Sequence, residues 1–294
     1  MKILIFGGSG FLGNAFSSLL IKKGIAFSTV SRKDSEATYL LDISDFHSFK
    51  SIPNNKYNVI VNCATVLPGG DYLDNDYLES IYKTNIKGSQ NICKWINGQS
   101  SVKKIINCST LAVVAKPWPI GLNEKVNTYS SGNHVLYSSS KLTQELLFKT
   151  FSETKKINLT QIRFSALYGP FMKKEGLIFN LIDQASKNHK IKLTNASMVS
   201  ADFLHVNDAA KIILAAIKKN INGIVNGASG IEITILQMAK VIKECFPNNI
   251  EIENIENPSF VENRSCIDVN KLKTIFAIKD FIKIKEGINE MIKL

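Results

Sequence analysis

Residues 2–13 read Lys2-Ile3-Leu4-Ile5-Phe6-Gly7-Gly8-Ser9-Gly10-Phe11-Leu12-Gly13, and the reading of this stretch decides the fold. The run 2–6 has the length and composition of a buried strand. From Phe11 to about Lys23 the apolar residues recur at helical spacing. Between them, Gly7, Gly10 and Gly13 form G-x-x-G-x-x-G. Such glycines let a strand turn tightly into a helix and let the backbone approach a pyrophosphate, whose charge then sits at the positive end of that helix. The candidate dinucleotide cradle is therefore Gly7, Gly10 and Gly13 with the first helical residues Phe11 and Leu12. The G-K-[ST] of a nucleoside-triphosphate loop is absent, which argues against ATP or GTP.

Outward from this unit the chain alternates strands and helices. Short Ile/Val-rich runs at 25–30, 59–64, 104–108 and 159–164 read as strands, and 136–151 reads as a helix rich in Leu and charge. This alternation predicts an α/β fold with a Rossmann-type doubly wound parallel sheet, helices covering both faces. After Pro170 strands are expected to be sparse. The expected organisation is a dinucleotide-binding domain over 1–165 and a smaller, mainly substrate-binding domain over 166–294, parts of 200–245 packing back on the first sheet.

The end of the second strand bears on the cofactor. An acid about 20 residues past the glycines holds a ribose 2′-hydroxyl, whereas an Arg there accommodates a 2′-phosphate. Here the strand runs into Ser31-Arg32-Lys33, and the nearest acid, Asp34, comes late. Ser31 and Arg32 thus favour NADP(H) over NAD(H).

A second signal is Tyr137-Ser138-Ser139-Ser140-Lys141 at the start of the 136–151 helix. Residues four apart share a helical face, so a phenol and an ammonium can meet in one site. A nearby cation stabilises phenolate and brings its pKa towards neutrality, as proton transfer at a carbinol or carbonyl requires. Alone, Y-x-x-x-K is a frequent chance pattern.

Together with the glycine turn and the strand-end run Asn107-Cys108-Ser109-Thr110, this motif resembles the extended short-chain dehydrogenase/reductases, the NAD-dependent epimerase/dehydratase group acting mainly on nucleotide sugars. Further blocks fall in the same order: Leu41-Asp42-Ile43, Asn62-Cys63-Ala64, Thr84-Asn85-Ile86, residues 137–146, Arg163-Phe164-Ser165, Tyr168-Gly169-Pro170 and Asp202-Phe203-Leu204-His205-Val206. The resemblance implies catalytic roles for Thr110 (hydrogen-bonding the reacting sugar oxygen, so also substrate-binding), Tyr137 (acid/base) and Lys141 (ribose contact and tuning of Tyr137). Ser109 is the alternative hydroxyl, on the opposite strand face. It further implies cofactor contacts from Asp42, Ile43, Cys63, Ala64, Thr65, Asn85, Tyr137, Lys141 and Phe164, and a substrate-phosphate contact from Arg264. Thr110 is followed by Leu111-Ala112 rather than an Asp-Glu pair, so 4,6-dehydration is not expected. Ala166 and Ala201 replace two polar substrate contacts of the group.

Composition limits the alternatives. Of 36 basic residues against 25 acidic, only three are Arg, and the lysines come as scattered pairs, so a solvated surface is expected rather than a nucleic-acid reader. No apolar run approaches membrane-spanning length, and no secretory leader is legible. The five cysteines lack C-x-x-C spacing, and they read as buried, reduced thiols of a cytoplasmic protein. His134 and His205 have no ligand-spaced partners, so no metal is expected. The expected activity is NADPH-dependent reduction of a nucleotide-linked 4-keto-6-deoxy sugar in polysaccharide biosynthesis. The alternatives are a nucleotide-sugar 4-epimerase with tightly bound NAD and a catalytically silent cofactor-binding regulator. The family resemblance adds a homodimer.

Overall fold

The computed structural model describes residues 1–293 except 70, 72, 133 and 220. Strands β1 (Ile3–Phe6), β2 (Phe27–Ser31), β3 (Tyr39–Leu40), β4 (Val59–Asn62), β5 (Lys104–Thr110) and β6 (Asn158–Phe164) alternate with helices α1 (Phe11–Lys22), α2 (Asn75–Ile81), α3 (Ser89–Asn97) and α4 (Val135–Lys155). There follow β7 (Ala166–Tyr168), α5 (Leu177–Asn188), β8 (Lys190–Thr194), β9 (Ser200–His205), α6 (Val206–Lys218), β10 (Gly223–Gly227), β11 (Glu232–Thr234), α7 (Ile235–Glu244), β12 (Glu251–Ile255), α8 (Asn270–Thr274) and α9 (Ile284–Ile292). Five strands therefore follow Pro170, where few were expected. β8 (Lys-Ile-Lys-Leu-Thr) and β12 (Glu-Ile-Glu-Asn-Ile) alternate charge with aliphatics, the period of a half-exposed strand, and they pair with each other in parallel.

Two compact units are present. The first comprises Met1–Ala115, Lys125–Arg163 and Ala210–Val225, and the second Lys116–Glu124, Phe164–Ala209 and Asn226–Leu294. The first is built on a seven-stranded sheet ordered β10-β6-β5-β4-β1-β2-β3, reversing direction of growth at β1/β4. Pairings β2–β3, β1–β2, β1–β4 and β4–β5 are parallel. All four residues of β1 are fully buried because helices cover both sheet faces. On one face Phe6 packs on Phe49 and Trp95 at ring-centroid distances of 5.9 and 6.2 Å. Each such side chain contributes about 1.5–3 kcal/mol of burial. A buried amide ladder crosses three strands: Asn62 Nδ2 donates to Asn107 Oδ1 (3.2 Å), and Asn107 Nδ2 to Gln161 Oε1 (3.1 Å).

Lysine pairs end α1, α4 and α6, as expected of solvated helix ends. Lys104 departs from that expectation: it is buried, its ammonium donates to the Lys219 carbonyl, and burial lowers its pKa.

In the second unit β9 pairs with β7 in parallel and with β11 antiparallel. Its core joins Tyr168, Leu181, Met238, Ile242, Ile288 and Met291. The buried Asp202 carboxylate accepts from the backbone N–H groups of Ser229 (2.9 Å) and Gly230 (2.7 Å) and from the hydroxyls of Ser165 and Ser229. Those four donors hold the chain reversal after β10, while burial pushes the carboxyl pKa up. His205 is buried edge-on to Tyr168, with Nε2 3.4 Å from Glu290 Oε2.

Candidate active site

The glycine turn occupies the C-terminal edge of the parallel sheet, where open α/β sheets bind ligands. Gly7 has φ +76, and a Cβ there would lie 2.7 Å from the Ala64 nitrogen. A Cβ on Gly13 would lie 2.1 Å from the Gly7 carbonyl oxygen, so both positions exclude a side chain. Gly10 is different. It caps α1 with ordinary extended angles and no side-chain hydrogen bond, and its Cβ would meet only the Gly7 oxygen at 3.3 Å. The first turn of α1 carries no acid and no side-chain cap, so the N–H groups of Phe11, Leu12 and Gly13 are not shielded by one. A positive, uncapped helix start behind a close-packed turn fits the pyrophosphate of a dinucleotide.

Around that turn, Ser31 Oγ lies 2.7 Å from Ser9 Oγ and accepts from the Asp34 backbone (3.1 Å), so its hydroxyl braces the loop. Arg32 and Lys33 are exposed on the same rim. Asp42 is half-buried and accepts from Ser44 N–H at 2.8 Å. Ile43 packs on Gly88, where a Cβ would come within 2.5 Å of it. Cys63, Ala64 and Thr65 follow β4 directly and are half-buried.

Asn85 lies in the π-helical segment Tyr82–Gly88 that joins α2 to α3, and it is fully buried. Its Oδ1 accepts from Val66 N–H (2.8 Å), and Nδ2 donates to the Val66 carbonyl (3.2 Å) and to Ser140 Oγ (2.9 Å). Both amide protons are thus spent inside the protein. Asn85 holds the loop after β4 against α4. The wide π turn is what aims it there.

Tyr137 and Lys141 lie one turn apart in α4, both buried. Lys141 Nζ donates to the Cys108 carbonyl (2.8 Å) and to Gln144 Oε1 (2.5 Å), and Gln144 Nε2 donates to Ser89 Oγ (2.8 Å). Burial lowers the Lys141 pKa from 10.5 to about 8, the nearby Glu145 carboxylate opposing that fall. Gln144 was not singled out from sequence. Its signal was available, since position i+3 shares the face of Lys141.

At the end of β5 the two hydroxyls part. Ser109 donates to Glu145 Oε1 at 2.5 Å, inside a pair in which Arg163 Nε and Nη2 donate to the same carboxylate at 3.0 and 2.7 Å. Thr110 Oγ1 caps the turn Leu111–Val113 by accepting from Ala112 N–H (3.2 Å), which leaves its proton to donate elsewhere. The Lys141–Cys108 bond draws α4 against this strand end two residues before Thr110.

The remaining two expected contacts lie in the second unit. Phe164 ends β6 and is buried. Arg264 is spent on an ion pair, Nε and Nη2 donating to Glu232 at 3.0 and 2.5 Å. Arg264 beside it holds the Glu232 carboxyl down to about 2. The cysteines also correct the sequence reading: all five are free thiols, but only Cys93 and Cys108 are buried, the other three being half-buried. Among the described residues no three His, Cys, Asp or Glu side chains cluster as metal ligands, and no helix is long and apolar enough to cross a membrane.

A family model described as NAD dependent epimerase/dehydratase family matches residues 3–228. The chain belongs to this family. Its relatives include the UDP-glucuronate 4-epimerase of Thermodesulfobacterium geofontis, 22% identical over 98% of this chain and 94% of that protein. Another is the UDP-N-acetyl-alpha-D-glucosaminuronate decarboxylase of Bacillus cytotoxicus, 24% identical over 99% and 97%. In fold the chain is similar to a crystal structure of UDP-glucuronic acid 4-epimerase from Bacillus cereus in complex with NAD, with a TM-score of 0.82, 18% identity and coverage of 100% and 98%. The Rossmann-type sheet and the membership of the epimerase/dehydratase family therefore stand as expected.

Proposed function

We propose that this epimerase/dehydratase family member is a nucleotide-sugar 4-epimerase acting on a UDP-linked sugar with NAD. This replaces the reductase expected from sequence: the relatives above are epimerases and a decarboxylase. The observation that carries the chemistry is the buried Lys141, one turn from Tyr137 in α4 and fixed on the carbonyl of Cys108, which lies two residues before Thr110.

When bound, the dinucleotide supplies a reversible hydride acceptor. The chain does the rest. The N–H groups of Phe11, Leu12 and Gly13 hold the pyrophosphate, and Asp42 and Ile43 flank the adenosine end. Lys141 holds the nicotinamide ribose and places its ammonium one helical turn from the Tyr137 phenol. Tyr137 takes the proton of the sugar 4-hydroxyl and returns it, while Thr110 donates to the same oxygen.

A second reading concerns the dinucleotide alone. No carboxylate ends β2, and exposed Arg32 and Lys33 suit a 2′-phosphate. The same protein would form a cytoplasmic homodimer through the face of α4 that exposes Leu146, which sedimentation checks.

The deciding experiment incubates the protein with UDP-glucose, UDP-N-acetylglucosamine or UDP-glucuronate and trace NAD, and follows C4 configuration by NMR. Inversion without net cofactor consumption is the expected result. Stoichiometric oxidation of NADPH by a 4-keto sugar would restore the reductase, and loss of CO2 would assign a decarboxylase. Replacing Arg32 with Ala should weaken NADP binding roughly tenfold or more and leave NAD binding unchanged if the 2′-phosphate reading holds. Equal effects would dismiss it.

A further inference from the structure

The ends of β4 and β5 carry two thiols that the reaction does not use. Cys63 Sγ and Cys108 Sγ are 3.6 Å apart, although 45 residues separate them in sequence. Their strands are parallel neighbours whose last registered pair, Asn62 with Asn107, immediately precedes them. Neighbouring strands run about 4.8 Å apart, inside the Cα window of about 4.4–6.8 Å that a disulfide spans. The two sulfurs differ in access: Cys63 is half-buried beside the glycine turn, whereas Cys108 is buried. Both lie in the field of the Lys141 ammonium.

Each cysteine also carries a wall of the candidate site. The Cys63 carbonyl carbon and the Ala64 nitrogen lie 2.9 and 2.7 Å from where a Gly7 Cβ would stand, so this peptide is the surface on which the glycine turn rests. The Cys108 carbonyl is the acceptor that holds Lys141.

We propose that Cys63 and Cys108 are a peroxide-oxidisable pair whose disulfide, closing the two sulfurs from 3.6 Å to bonding distance, displaces the Cys63–Ala64 peptide under the glycine turn and the Cys108 carbonyl that holds Lys141, and so disables dinucleotide binding. The chemistry balances with a hydroperoxide as oxidant. The more accessible Cys63 thiolate attacks the peroxide oxygen, breaking the O–O bond and forming a sulfenic acid, with alkoxide or hydroxide leaving. Cys108 sulfur then attacks the Cys63 sulfur, the S–O bond breaks, and the hydroxyl departs with the Cys108 proton as water. Burial raises the Cys108 thiol well above its ordinary value, so it is a poor first nucleophile and reacts only with the sulfenic acid held beside it at 3.6 Å. The disabling effect rests on the proposed cofactor site, whereas the cross-link does not.

The test treats the cofactor-free full chain with hydrogen peroxide, blocks remaining thiols, and maps peptides by mass spectrometry. The expected result is a linked Cys63–Cys108 peptide, free thiols falling from five to three, reversal by dithiothreitol, and no link in Cys108→Ser or Cys108→Ala. NAD binding by the oxidised protein should weaken roughly tenfold or more. Conversion of Cys63 to sulfinic acid with Cys108 unchanged, oxidation confined to Cys245 or Cys266, or survival of all five thiols would overturn the pair. Unchanged NAD binding by the linked protein would overturn its role as a switch. Saturating NAD should slow the link by covering Cys63. A link that forms at the same rate with NAD supports the pair and counts against the cofactor placement instead.

Discussion

Replacing Lys141 with Met should make the folded protein more stable while abolishing its activity. The side chain is 2% exposed, and burial takes its pKa from 10.5 to about 8. Each pKa unit is worth about 1.4 kcal/mol, so keeping this ammonium protonated in the fold costs about 3 kcal/mol below pH 8. Met has similar length, no charge and good core-filling character. Its introduction removes two hydrogen bonds, to the Cys108 carbonyl and Gln144 Oε1, which returns about 0.5–1.5 kcal/mol each. The net expectation is a gain of up to about 2 kcal/mol at pH 7, measured as the difference in urea midpoints at equal slope. The pH dependence carries the sign. Between about pH 8 and 10.5 the unfolded chain binds the Lys141 proton and the folded chain does not, so the unmodified protein gains stability on the variant as pH rises. The advantage of Lys141→Met should shrink across that window and reverse by about pH 9.5. Other alkaline titrations are common to both proteins and cancel. A variant less stable than the parent by 1 kcal/mol or more at pH 7, or a difference flat from pH 7 to 10, would refute the burial argument. Retained turnover would refute the assignment of Lys141 to the chemistry.

Tyr137→Phe keeps the ring and deletes the proton carrier, so turnover of a UDP-sugar should fall about 10²–10⁴-fold with NAD still bound, both read on one preparation. Glu145→Gln strands the Arg163 guanidinium inside the sheet and should cost about 3–5 kcal/mol in urea unfolding, with part recovered by adding Arg163→Met. Full stability in the single variant would mean that water reaches the pair. Gly13→Ala should lose NAD binding and about 1–3 kcal/mol of stability together, because its Cβ meets backbone atoms that cannot yield. Gly10→Ala, whose Cβ has room, should fold normally and bind NAD more weakly, as calorimetry can separate.

Local patterns were enough to place the first half of the fold. The 2–13 stretch contains both a strand-like apolar run and a G-x-x-G-x-x-G spacing whose first and last glycines exclude a side chain, so its strand–turn–helix could be read without knowing any neighbour. Tyr137 and Lys141 were legible for the same reason: helix geometry alone puts them on one face. What they bind was not: the carbonyl that holds Lys141 comes from β5, and although Gln144 and Glu145 share α4 with Lys141, only the packing of β5 on α4 shows that Glu145 occupies Ser109. Asn85 illustrates the limit. A sequence pattern can nominate it for the site, but only the π turn and the packing of α4 decide that its amide braces Val66 and Ser140. Arg264 likewise reads as a free cation until β11 brings Glu232 beside it. Cys63 and Cys108 are the extreme case, since two thiols 45 residues apart meet only through the register of β4 on β5. Periodicity and backbone sterics act over a few residues and are written in the sequence. Pairing across strands depends on register, and register is set by burying the whole sheet.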